Sequence, residues 1–280
     1  MSAFTELTTV DVLRCRSACT PDLLRHLATL PTLVNLSAEI GETDGGTSIV
    51  FSGFPSLRRL HVKGTVDRVL ALIATVNSPY VRAVQVQHVP EDVGPYFEQE
   101  WCKMIDAIAS RFESSLREIN LATSFQFCES TQQGRSGLRF LRVVRPLLAL
   151  LELESVIFSW DIERTRLDMR DEDVLEMANA WPRVRTLVLR FVNGWQLPVE
   201  TLSHWARLCP LLIRLVLPEL MDREHSTVES FPATSHGLRY IQFEYEPRSE
   251  RTTRILDRLF PNLDTADNRP SRKLLRWTQV

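Results

Sequence analysis

Residues Phe54–Val62 read F-P-S-L-R-R-L-H-V. Leu57, Leu60 and Val62 are apolar, and Arg59 and His61 alternate with the last two. Alternation with a period of two over a short run predicts a β-strand with one buried face. Lys63-Gly64-Thr65 then reads as a turn, and Val66–Val76 (V-D-R-V-L-A-L-I-A-T-V) as a short helix. Asn77-Ser78-Pro79 stops that helix, because proline disfavours a helical residue before it. The next strand, Val81-Arg82-Ala83-Val84-Gln85-Val86, repeats the phase of the first.

Outward from this segment, the pattern L-x-x-L-x-L recurs along the chain. Its first apolar position falls at Leu7, Leu33, Leu57, Val81, Leu116, Leu148, Val184, Leu212, Leu238 and Leu263, in steps of 26, 24, 24, 35, 32, 36, 28, 26 and 25. A unit of strand, turn and helix in about two dozen residues is the leucine-rich-repeat signature, in which each unit stacks on the next. A return crossover between consecutive strands makes them parallel. Prolines strengthen the phasing: Pro31, Pro182, Pro210 and Pro261 each follow a helical stretch and precede a strand. No ladder donor is needed at that point, so proline is tolerated there.

The fold expected is therefore α/β: a leucine-rich-repeat solenoid, or horseshoe, with a parallel sheet on its concave face and helices on the convex one. Residues 1–280 read as a single domain with irregular repeats around 90–115, 123–147 and 157–183. Cys128–Gly137 is the most loop-like stretch, and Trp160–Asp173 is densely charged. Insertions of this kind map to the edges of a solenoid.

Composition narrows the function classes. The chain of 280 residues has 33 basic and 35 acidic side chains, a net charge of −2, so no basic surplus marks it as a nucleic-acid binder. Its longest apolar stretch, Val143–Phe158, contains Arg145, Pro146, Glu152 and Glu154 and cannot span a membrane. Five cysteines, none in a C-x-x-C pair, argue against a zinc site or a disulfide framework. No signal-peptide pattern opens the sequence, so a reducing compartment, cytoplasm or nucleus, is expected.

No chemical motif survives inspection. The acidic run Asp161, Glu163, Asp168, Asp171, Glu172 and Asp173 lacks the residue order of a calcium loop, and interleaved arginines make it a solvated, self-compensating loop and helix start. Gly41–Ser48 lacks the G-K-[ST] of a phosphate loop. Cys15 fits a buried turn position, and His61 a solvated strand face. Trp181 and Trp205 read as core, whereas Trp160 and Trp195 lie near loops where a surface anchor is open to them. The basic stretch Arg269–Trp277 reads as a tail or cap. No catalytic residue, cofactor or metal site is expected.

Two longer segments carry a resemblance. Asp171–Leu189 (D-E-D-V-L-E-M-A-N-A-W-P-R-V-R-T-L-V-L) and Leu202–Leu217 (L-S-H-W-A-R-L-C-P-L-L-I-R-L-V-L) resemble the fungal F-box/leucine-rich-repeat family, as do His236–Phe243 and Leu256–Leu263 near the C-terminus. The resemblance implies a non-enzymatic interaction scaffold, the substrate-recognition part of an SCF-type ubiquitin-ligase adaptor. The expected strand at Leu7–Val12 leaves no room for an F-box after Met1, so Skp1 is an expected partner only if an F-box lies upstream. A stand-alone leucine-rich-repeat regulator is the alternative. Either way an unknown protein target is expected on the concave face, with no nucleic acid and no membrane. The residues between ladder positions would meet it: Arg59, His61, Gln85, Glu118, Asn120, Glu152, Thr186, Val188, Arg214, Val216, Tyr240 and Gln242, continued toward the N-terminus by Thr9, Asp11, Asn35, Ser37 and Ala83.

Overall fold

A computed structural model describes residues 6–13, 19–41, 51–89, 97–124, 138–161, 167–191, 196–222, 227–244 and 249–264. In chain order the first elements are β1 (Thr9–Val12), α1 (Pro21–Ala28), β2 (Asn35–Glu39), β3 (Arg59–Gly64), α2 (Val66–Thr75), β4 (Ala83–His88), α3 (Phe97–Phe112) and β5 (Glu118–Ser124). Then come β6 (Leu138–Arg139), α4 (Phe140–Val144), β7 (Ser155–Asp161), β8 (Leu167–Asp168), α5 (Asp171–Ala180) and β9 (Thr186–Phe191). The last are β10 (Gln196–Pro198), α6 (Leu202–Leu208), β11 (Arg214–Leu217), β12 (Glu219–Met221), β13 (Tyr240–Phe243) and α7 (Glu250–Leu259).

Nine of these strands form one sheet in the order β1-β2-β3-β4-β5-β7-β9-β11-β13, and every pairing in it is parallel. Neighbours in sequence are neighbours in space, as the short crossovers require. Two small parallel ladders, β6 with β8 and β10 with β12, tie together the segments between strands and helices. The architecture is mixed α/β.

One repeated turn launches the strands. Leu57 donates its amide to the Phe54 carbonyl, Val184 to Trp181, Leu212 to Cys209 and Leu263 to Phe260, at 3.0–3.3 Å. Pro55, Pro182, Pro210 and Pro261 occupy the second position of these turns, where their fixed φ is already correct. Trp181, Cys209 and Phe260 also cap helices α5, α6 and α7, each with φ between −115° and −136° and ψ of 60–68°. The phased prolines of the sequence are thus turn formers: Pro182 and Pro210 each stop a helix and lead into a strand, and Pro261 stops α7.

Inward positions build the core. Leu60, Val84, Ile119, Val156, Leu187 and Leu215 form one buried row, and Val62, Val86, Leu121, Phe158, Leu189 and Leu217 the next. All belong to one hydrophobic cluster with the buried sides of α1 to α7. Each such side chain contributes roughly 1.5–3 kcal/mol. Trp181 and Trp205 are fully buried, as expected, and the Trp181 indole donates to the Leu147 carbonyl at 3.0 Å.

Several expectations are corrected. The sixth repeat begins at Leu153, not Leu148, which changes the steps around it to 37 and 31. Leu148 belongs to a 3₁₀ turn, Arg145–Ala149, and Leu151 is exposed. Trp160 lies on the inward side of β7 and is buried among Trp101, Phe140, Phe158 and Phe191 at ring separations of 4.9–5.8 Å, which rules it out as a surface anchor. Asp173 is buried rather than solvated; its carboxylate accepts from the Arg139 guanidinium and from the Arg170 amide, both at 3.0 Å. Leu263 starts no strand among the described residues, although the Asp264 amide continues the register by donating to the Arg239 carbonyl. Cys15, Cys128, Glu163, Trp195, the loop at 42–48 and the basic stretch from Arg269 lie outside the described residues.

The second unit is closed differently. Gly53 and Phe54 sit between the ends of α1 and α2: Gly53 donates to Thr75, Asn77 donates to Gly53, and Phe54 donates to Ala28, at 2.8–2.9 Å. Phe54 takes φ of 60°, a region rarely open to a side-chain residue, and its ring is fully buried. A Cβ on Gly53 would lie 2.5 Å from both the carbonyl oxygen and the Cβ of Ala28, whereas one on Gly237 would meet nothing within 4 Å. Gly53→Ala should therefore cost about 2–4 kcal/mol in urea unfolding, and Gly237→Ala less than about 0.5 kcal/mol. Equal effects would contradict the close approach at Gly53.

Candidate functional site

Because side chains alternate, the residues between the core positions all emerge on the sheet's other face. The register aligns Thr9, Asn35, Arg59, Ala83, Glu118, Ser155, Thr186, Arg214 and Tyr240 in one row across the nine strands. Asp11, Ser37, His61, Gln85, Asn120, Ile157, Val188, Val216 and Gln242 form the next row. Eleven of the twelve residues expected to face a partner are brought together here.

Glu152 is the exception. It precedes β7, in the turn, where its carboxylate pairs with Arg183 at 2.5 Å and Arg117 at 3.4 Å. Ser155 and Ile157 take the places that phasing from Leu148 had given to other residues. A third row, Glu39, Lys63, Gln87, Ala122, Ser159 and Arg190, escaped the sequence reading because it lies beyond the six-residue pattern. Within it Lys63 and Glu39 form an ion pair at 3.0 Å.

The two halves of this face differ. Toward the N-terminus it is polar, and Asn35 donates to the Thr9 hydroxyl at 3.0 Å. Toward the C-terminus Ile157, Val188 and Val216 form an apolar strip. Val216 and Val188, both expected to meet a partner, are buried, Val216 completely. Arg190 and the Tyr240 hydroxyl both donate to Gln242 Oε1, at 3.4 and 2.7 Å, and the Arg214 guanidinium lies 5.0 Å from the Tyr240 ring centroid. Val216 pairs in register with Val188 and Gln242 and is closed to solvent, so it offers no surface to an apolar partner in this arrangement.

Unmet hydrogen-bonding capacity marks the same face. His61 Nε2, Asn120 Oδ1 and Arg214 Nε are buried and have no hydrogen-bond partner among the described residues. Such groups cost free energy until something pairs with them. Burial lowers the His61 pKa below that of a free imidazole, and the charge of Asp11 opposes this in part. The ring is thus held toward its neutral form, with one nitrogen able to donate and the other to accept.

Elsewhere the described residues offer little chemistry. Burial pushes the Cys19 thiol up to about 11 and the Cys209 thiol up to about 12, which makes both poor nucleophiles. Among the described residues no group of His, Cys, Asp and Glu could hold a metal ion, and no helix is long and apolar enough to cross a membrane. A hollow of about 440 Å³ between α2 and α3 is lined by Leu70, Ile73, Ala74, Ala107, Ser110 and Arg111. Its one cation, Arg111, is committed to the Val76 carbonyl at 2.5 and 2.8 Å. Comparison with protein-family models returns no match, and comparison with curated proteins returns none either.

His88 points to the opposite, core side of β4 and meets Trp101 edge-on at 5.5 Å. Burial lowers its pKa to about 4. The unfolded chain therefore binds a proton between pH 6.5 and 4 that the folded one refuses, and stability is lost as pH falls through that window. Urea unfolding should show this loss, up to about 3 kcal/mol from this group, and His88→Phe should remove its share. An unchanged pH profile in the variant would contradict this assignment.

Proposed function

We propose that this protein is a leucine-rich-repeat solenoid that serves as a non-enzymatic scaffold for protein–protein interaction, gripping its target on the concave, open face of the sheet. The observation that carries this reading is the unbroken register of outward rows over nine parallel strands, with buried polar atoms there still lacking partners. An extended surface assembled from stacked units suits a macromolecular target better than a small substrate. Polar groups at its centre fit a partner that supplies complementary hydrogen bonds.

The resemblance of the Asp171–Leu189 and Leu202–Leu217 segments to F-box/leucine-rich-repeat proteins makes recognition of ubiquitin-ligase substrates the preferred cellular role. A stand-alone regulatory binder is the second reading, and the cytoplasm or nucleus is the proposed setting for both. A photo-crosslinking amino acid placed at Gln85 or Asn120, in cells that make the protein, should yield partner adducts. The same group at Asp106 or Glu176, exposed on α3 and α5, should yield none. Adducts from the helix positions alone would overturn the scaffold reading. Co-purification of Skp1 with the full-length gene product would support the ligase role, and its absence leaves the stand-alone binder.

A further inference from the structure

The residue just before each strand stacks in a row of its own. The Arg58 carbonyl accepts from the Arg82 and Ala83 amides, the Arg82 carbonyl from Arg117 and Glu118, and the Arg117 carbonyl from Glu154 and Ser155, all at 2.7–3.1 Å. Arg58, Arg82 and Arg117 therefore lie on adjacent strands, about 4.8 Å apart along the leading rim of the sheet. Arg59 stands beside them in the first outward row.

These guanidiniums are not neutralised alike. Arg117 pairs with Glu152 at 3.4 Å, and further along the rim Arg185 pairs with Glu154 at 3.9 Å. Arg58, Arg59 and Arg82 are exposed and have no carboxylate within 4.0 Å among the described residues. Like charges side by side on neighbouring strands are unfavourable for folding. They persist here in a chain whose net charge is −2. The unpartnered His61 Nε2 and Asn120 Oδ1 lie in the adjoining row, on β3 and β5. Ala83, a small outward residue, stands between Arg59 and Glu118 in the first row.

We infer that the N-terminal half of the leading rim binds an acidic, extended segment of a partner protein, its carboxylates on Arg58, Arg59 and Arg82 and its backbone over His61 and Asn120. The inference rests on the scaffold reading and adds the chemistry of the partner. Guanidinium forks match carboxylates geometrically, which an ammonium would not. A nucleic acid fits less well: among the described residues only Tyr80 offers an exposed aromatic face near this rim for a base to stack on.

The test is fluorescence anisotropy with a labelled 12-residue peptide of alternating Glu and Gly, set against its Lys counterpart and a single-stranded DNA 12-mer. The full chain should bind the Glu peptide and not the Lys peptide. Arg58→Glu/Arg82→Glu should weaken binding at least tenfold, and Arg207→Glu/Arg254→Glu, exposed on α6 and α7, less than twofold. Equal weakening by the two pairs, no binding of the Glu peptide, or tighter binding of the DNA would overturn the inference. If open-face cross-links to a partner persist while the Glu peptide fails to bind, the rim proposal falls and the scaffold reading stands.

Discussion

Everything in this fold depends on a carbonyl shared between two amides. The residue that precedes each strand offers one oxygen, and two successive N–H groups of the following unit donate to it. Val34 serves Arg58 and Arg59, Glu154 serves Arg185 and Thr186, and Ile213 serves Arg239 and Tyr240, all at 2.7–3.1 Å. A slip of one residue would turn every leucine of the ladder outward. The shared carbonyl fixes the start of each strand, the proline turn fixes its approach, and the apolar rows make any other register costly. The same device keeps the outward residues aligned, so the face proposed to bind a partner is a by-product of the way the core is locked.

Much of this was legible in residue order, because alternation and proline placement are local signals. F-P-S-L-R-R-L-H-V contains the turn, the register and the two faces in nine residues. Those signals blur in places. Between Val143 and Phe158 leucines occur at nearly every phase, so spacing alone could not choose between Leu148 and Leu153. The choice falls to Leu153 because Pro146 opens a 3₁₀ turn that uses up the earlier leucines. The place of Trp160 stayed open in the sequence because the residues after it, from Asp161, are densely charged, while its neighbours in space are four aromatic rings. Neither the φ of Phe54 nor the burial of Val216 has a local signature, since both arise from packing between units.

The candidate surface was readable in outline and not in energetics. Alternation located Gln85, Asn120 and their row. It said nothing about which polar atoms lack partners or which arginines lack counterions. Arg58, Arg82, Arg117, Arg185 and Arg239 all follow the first apolar position of their repeat, a recurrence visible in the sequence once the units are aligned. Only the ion pairs to Glu152 and Glu154 divide that row into a compensated part and a free one.

The most direct check of this account is a cysteine-accessibility scan across β4 and β7, with maleimide labelling read site by site by mass spectrometry. Cysteines replacing Gln85, Gln87, Ser155, Ile157 and Ser159 should react quickly, and those replacing Val84, Val86, Val156 and Phe158 should be protected. Protection at Ser155 and Ile157, or a reversal of phase between β4 and β7, would contradict a single register running through all nine strands.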